Sequence, residues 1–246
     1  MDRRTALDAL SRARERFHRY VDAYVDPAGR DAPSPYPGLS AEAWYDPARF
    51  PIVPALEAAC ASIRAELGAM PAAAFHREAE PLRRDGSWDV LLLYERGRRH
   101  DANCAALPAV TGIVERFATV RTLAGLVYFS RMVPGTRIAP HRGPTNLRVR
   151  CHLALTVPAG DCALRVGGET RRWVAGTCAV FNDFLEHEAW NATSGERIVL
   201  VVDLWHPDLS EPEVGMLEAF HARILRQALN LQRYWADNDR ARAEKA

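Results

Sequence analysis

The chain has 246 residues, 48% hydrophobic and 26% charged, which fits one globular domain and excludes a disordered or fibrous polymer. Its 32 Lys and Arg nearly match its 31 Asp and Glu, so a formal net charge of +1 supplies no basic field for non-specific nucleic-acid binding. No apolar run is long enough to span a membrane, and MDRRTALDALSRARERF has no apolar core of a signal peptide, so a cytoplasmic chain with no membrane partner is expected. The five Cys, at 60, 104, 151, 162 and 178, are odd in number and form no CxxC pair, so reduced thiols are expected rather than a disulfide framework or zinc knuckle.

Thr5 to Asp8 offers a capping signal, and Leu7, Leu10, Phe17, Val21 and Tyr24 recur at helical spacing behind it. The run from Asp26 to Pro37 is rich in Pro and small polar residues and reads as a connector. Leu56, Cys60, Ile63 and Leu67 predict a second helix ending near Pro71. From Trp88 to Trp205 the texture changes to short β-rich runs: DVLLLY, GLVYFSRM, LRVRCHLALTV, CALRVG, ETRRWV, CAVFN and RIVLVVDLW. Their number and spacing predict an antiparallel sandwich or barrel instead of βαβ units. A last helix is predicted from about Glu211 to Trp235.

The run from Leu147 to Val157 is the most informative. Strand side chains alternate, so Leu147, Val149, Cys151, Leu153, Leu155 and Val157 share one apolar face. Arg148, Arg150 and His152 share the other, which is either solvated or the lining of a polar cavity. Arg197 opens a run, IVLVV, that reads as buried on both sides.

Of the eight His, His18, His76, His100 and His221 sit in helical or charged contexts that suit surface or packing roles. His141 and His187 fall in turn-rich segments at strand ends, 46 residues apart, where imidazoles from neighbouring strands share a divalent metal in many proteins. A two-His, one-carboxylate iron site of the HxD type would need a carboxylate at position 143, which is Gly. Read from chemistry alone, Gly143 counts against that site and leaves a position for water or a halide. The sequon at Asn191 and the ERGRRHD cluster carry no assignment by themselves. Cys151, on the apolar face, reads as a packed thiol.

Several segments together resemble the aspartyl/asparaginyl β-hydroxylase family of Fe(II)- and 2-oxoglutarate-dependent oxygenases. They are PGLSAEAWYDP (37–47), GSWDVLLLYERGRR (86–99), YFSRMVPGTRIAPHRGPTNLRVRCHLAL (128–155), FNDFLEHEAWN (181–191) and RIVLVVDLWHPDL (197–209). The motif HxGPTNxRxRxHLxL, from His141 to Leu155, is long and specific. The resemblance implies a mainly β fold, a double-stranded β-helix of the jelly-roll type with flanking N- and C-terminal helices. It implies a single domain: an N-terminal helix and connector (1–36), an oxygenase region (37–210) with its β core at about 86–207, and a C-terminal helix and tail (211–246). His141 and His187 then match the catalytic iron ligands, and Gly143 is the family's own pattern. Ser130, Arg150, His152 and Arg197 match positions that hold 2-oxoglutarate, and Trp88 matches an aromatic wall of that pocket.

The implied reaction uses Fe(II), 2-oxoglutarate and O2 to hydroxylate an unactivated C–H bond, releasing succinate and CO2. The implied substrate is a small amino-acid-derived molecule or peptide, free or carrier-bound, with an aspartyl or asparaginyl-like unit. Two alternatives stand beside it: a halogenase using the position left open by Gly143, and a non-catalytic ligand-binding β-helix. Asn182 and Phe184 stand where the family often has acid and Ser. Tyr128 replaces a Lys found in some relatives near the substrate, and Asp183 is left as the carboxylate that would orient a ligating His.

Overall fold

A computed structural model describes residues 3–25 and 35–243; most of the predicted connector, 26–34, lies outside the described residues. In chain order the elements are α1 (Arg3–Val25), β1 (Trp44–Tyr45), α2 (Ile52–Ala58), α3 (Cys60–Gly68), β2 (His76–Arg77), β3 (Arg83–Asp85), β4 (Trp88–Glu95), β5 (Arg98–Arg99), α4 (Asp101–Ala106) and α5 (Pro108–Arg116). They continue with β6 (Leu126–Met132), β7 (Thr136–His141), β8 (Arg148–Thr156), β9 (Cys162–Val166), β10 (Glu169–Arg171), β11 (Cys178–Phe181), β12 (His187–Asn191), β13 (Arg197–Trp205) and α6 (Glu211–Ala243).

The strands form two antiparallel sheets. The larger runs β1-β11-β8-β13-β6-β4-β2 with β5 beside β4, and the smaller runs β10-β9-β12-β7-β3. From β6 onward the chain passes back and forth between the two sheets, which is the winding of a double-stranded β-helix. One core fills the space between them: Val90, Met132, Phe181, Val199 and Val201 from the larger sheet meet Ile138, Leu164, Val166 and Ala189 from the smaller.

The period of two on β8 decides what goes where. Val149, Cys151, Leu153 and Leu155 point outward and join Leu56, Ile63, Val110 and Val114 of the helices covering the larger sheet. Arg148, Arg150 and His152 point inward, so the polar face lines a cavity rather than solvent. On β13, Leu200, Val202 and Leu204 pack outward in the same layer, while Arg197 and Val201 line the cavity. Leu56 and Ile63 are fully buried, so truncating either to Ala removes about 2–5 kcal/mol.

The structure departs from the sequence reading in several elements. The single helix expected over 56–67 is two, α2 and α3, separated at Ala59, where ψ is 0°. Helices α4 and α5 interrupt a region that reads as strands throughout. Pro108 opens α5 at a position where its missing N–H costs no intrahelical bond. The edge strands β1, β2 and β3 precede residue 86, and strands β7 and β12 form in the segments around His141 and His187 that read as turn-rich. In ETRRWV the strand ends at Arg171, and Trp173 turns into the core.

At the other end, α1 and α6 pack together through Phe17, Tyr20, Tyr24 and Phe220, above Trp205 and Leu217. Among the described residues no helix is long and apolar enough to cross a membrane.

Candidate active site

A cavity of about 620 Å³ opens between the sheets. Every residue singled out from the sequence as a ligand or co-substrate contact, from Trp88 to Arg197, lines it.

His141 is the last residue of β7 and His187 the first of β12. These strands pair in antiparallel register with the two His directly opposite each other. Their ring centroids are 4.0 Å apart. His141 Nδ1 lies 2.8 Å from the carbonyl of Ala139, and His187 Nδ1 lies 2.9 Å from that of Leu185. A carbonyl only accepts, so each Nδ1 carries the proton and each Nε2 keeps a lone pair free for a metal. Burial, reinforced by His141, pushes His187 down to about 4, so its ring is neutral at physiological pH. Among the described residues no third His, Cys, Asp or Glu completes a cluster of three.

Backbone carbonyls, not the Asp183 carboxylate, face the Nδ1 atoms of both His. Asp183 is fully buried, and its Oδ2 accepts from Arg148 at 2.8 Å with Arg150 at 3.4 Å. Asp203, also fully buried, pairs with Arg148 and takes a bidentate contact from Arg150, 2.9 Å to Nε and 3.2 Å to Nη2. Two cations thus meet two anions in a buried square. Burial opposes the charge on Arg150, but Asp203 and Asp183 hold its pKa well above the ordinary value. Asp183 stays ionised against burial because Arg148 and Arg150 face it. The guanidinium of Arg150 is therefore already matched through Nε and Nη2, and it also lines the cavity.

Arg197 has no such match. It is 2% exposed, its Nη1 donates to the Ser130 carbonyl at 3.0 Å and to Ser130 Oγ at 3.1 Å, and its Nε has no partner. Its guanidinium stacks 4.7 Å from the centre of the Trp173 ring. Burial pushes its pKa down to about 10, the signature of a cation with no opposing carboxylate. Trp88 Nε1 also donates to Ser130 Oγ, at 3.0 Å. Ser130 Oγ thus accepts two N–H groups, which leaves its own proton for a ligand. Trp173 Nε1 points at His152 Nδ1, 3.3 Å away, so the proton of His152 sits on Nε2. Burial, then Arg197 and Arg150, hold His152 neutral. Arg197, the Ser130 hydroxyl and His152 Nε2 make a buried donor set suited to a carboxylate.

Sequence reasoning missed Trp173, Asp203 and the pairing role of Arg148. Strand alternation from Arg197 does place Asp203 on the cavity face. Trp173 lies past the end of β10, where no periodicity reaches it. The sequon Asn191 is fully buried and donates to the carbonyls of Met132 and Gly195 at 3.1 and 2.8 Å.

A family model described as aspartyl/asparaginyl beta-hydroxylase matches residues 57–207. The aspartyl/asparaginyl beta-hydroxylases of Mus musculus and Homo sapiens are each 37% identical over 189 residues, 74% of this chain. Aspartate beta-hydroxylase domain-containing protein 1 of Mus musculus is 43% identical over 135 residues, 52% of this chain. The matched region spans 26%, 25% and 37% of those three relatives. On a match covering more than half of its length, the chain belongs to the aspartyl/asparaginyl beta-hydroxylase family.

Proposed function

We propose that this chain is an Fe(II)- and 2-oxoglutarate-dependent hydroxylase acting on a small amino-acid-derived or peptidyl substrate, free or carrier-bound, with an aspartyl or asparaginyl-like unit. The observation that carries this reading is Arg197: a buried guanidinium without a carboxylate, in the same cavity as two His with free Nε2 lone pairs. An uncompensated buried charge is costly, so the cavity is built for an anion at that spot.

In this reading His141 and His187 hold Fe(II) through Nε2, and Arg197 with Ser130 receives the distal carboxylate of 2-oxoglutarate. His152 Nε2 offers a further donor, and Trp88 and Trp173 exclude water around the anchor. Bound iron and 2-oxoglutarate would supply oxidation of a C–H bond by O2, with release of succinate and CO2. The protein's own part is to hold His187 neutral, to present a dry cation, and to keep Arg148 and Arg150 fixed on their carboxylates.

Calorimetry with Mn(II) in place of Fe(II) tests this: 2-oxoglutarate should bind the wild type only when the metal is present. Succinate formation should then rise with a true substrate, whose product gains one oxygen in mass spectrometry. Failure of 2-oxoglutarate to bind the metal-loaded protein overturns the reading. A cytoplasmic location belongs to the same proposal, since it rests on the sequence alone.

A further inference from the structure

Each carboxylate that lines the cavity has a partner of its own. In its depth Arg148 and Arg150 face Asp183 and Asp203. At the rim Glu80 meets Arg96 at 3.8 Å, and Glu95 meets His100 at 3.5 Å. Glu78 accepts from the backbone N–H groups of Ala79 and Glu80 at 2.7 and 3.2 Å. Among the described residues two lining guanidiniums are left without a carboxylate: Arg197 at the bottom and Arg142 at the rim.

Arg142 directly follows His141 at the end of β7, so it is fixed to the strand that carries one of the two facing histidines. It is exposed and has no hydrogen bond, ion pair or ring contact with any described residue. Tyr128 of β6, which also lines the cavity, is 7% exposed and its hydroxyl has no protein partner.

We infer that Arg142 reads an oxyanion, a carboxylate or a phosphate, on the substrate, held at the rim beside His141 and apart from the carbon that reacts. This rests on the oxygenase reading above, in which Arg197 is filled by the co-substrate and the remaining cation faces the substrate. A guanidinium fork matches the oxygens of either group in a bidentate pair. At a rim position the attraction also steers approach and weakens with added salt.

The test uses the full chain loaded with Mn(II) and 2-oxoglutarate, and calorimetric binding of four synthetic peptides. The peptides share one Asn and differ at one flanking position, which is Glu, phosphoserine, Gln or Lys. Wild type should prefer the Glu or phosphoserine peptide to the Gln peptide by about two- to fivefold. Arg142→Gln should erase that preference, and Arg142→Glu should turn it toward the Lys peptide. Arg172→Gln, an exposed arginine outside the cavity lining, should keep it and so controls for bulk charge. A stronger response to Glu assigns a carboxylate, and a stronger response to phosphoserine assigns a phosphate. A wild type indifferent to the flank, or a preference that survives Arg142→Gln, overturns the assignment. Loss of 2-oxoglutarate binding in the wild type marks failure of the underlying oxygenase reading instead, and takes this inference with it.

Discussion

Gly143 lies so close to Asp183 that any side chain there would force Asp183 to shift: its N–H donates to the Asp183 carbonyl at 2.6 Å, and a Cβ at 143 would stand 2.7 Å from the Asp183 carboxylate. Position 143 is where a third, carboxylate ligand would follow the first His in an HxD arrangement. In this chain the space is occupied from across the site by Asp183, which is itself fixed by Arg148. The glycine is therefore a packing requirement.

Gly143→Ala is accordingly expected to destabilise the fold by about 1–3 kcal/mol, the usual cost of forcing atoms into a filled interior. Gly143→Asp should be worse, because it adds a second carboxylate beside Asp183, and it should not create a working three-ligand site. Chemical denaturation of both variants checks this. Wild-type stability in Gly143→Ala would mean that the contact between the two residues is not held in solution.

Loss of the Arg197 guanidinium should fall on co-substrate binding. Arg197→Ala is expected to weaken 2-oxoglutarate by about 2–5 kcal/mol, the range for removing one partner of a desolvated charge pair. Arg197→Lys should recover only part of it, since an ammonium neither stacks flat on Trp173 nor presents a fork. Calorimetry on the Mn(II)-loaded variants decides; unchanged affinity in Arg197→Ala would move the anchor elsewhere.

This anchor was partly legible in the sequence. Alternation along LRVRCHLALTV put Arg150 and His152 on one face, and the cavity confirms that face. Alternation says nothing about what each guanidinium meets, and the two arginines differ in their partners. Arg150 is closed by Asp203, 53 residues away, whereas Arg197 has no carboxylate. Trp173 and helices α4 and α5 were illegible for a related reason. Their places are set by packing on strands distant in sequence, and the apolar spacing of a short helix such as α4 is not distinctive. The two His lie in segments that read as turn-rich, and the structure seats them on strand ends, His141 closing β7 and His187 opening β12. RIAPH and HEAWN mix polar and apolar residues on both faces, because one face of each strand lines a polar cavity.

The register of β7 and β12 makes a further expectation specific. With only His141 and His187 available among the described residues, His141→Ala or His187→Ala should abolish Mn(II) binding at the site. His206→Ala should spare it, since His206 is bonded to Tyr45 at 2.9 Å and does not line the cavity. Loss of metal binding in His206→Ala with retention in His141→Ala would refute the assignment. Electron paramagnetic resonance of Mn(II) reports either outcome without turnover.

Acid should loosen the molecule at its helical end. His221 of α6 is 4% exposed, stacks on Trp205 and shares a 2.9 Å hydrogen bond with Thr122. Burial pushes its pKa down to about 4. Above the unfolded value of about 6.5 the ring is neutral in both states, so its contribution to stability is intact. As pH falls from there toward 4, the unfolded chain takes up a proton that the folded chain refuses, and stability declines; below about 4 both are protonated and the loss levels off. Between about pH 6.5 and pH 5 this one group removes on the order of 2 kcal/mol. His221→Gln, which retains a partner for Thr122 but does not titrate, should be less stable than wild type at neutral pH and lose less on acidification. Urea unfolding at the two pH values measures the difference. Thr122 adjoins Leu123–Leu126, which line the cavity rim, so the same titration should loosen that wall before the β core unfolds. Equal acid sensitivity in the two proteins would show that His221 is not the group responsible.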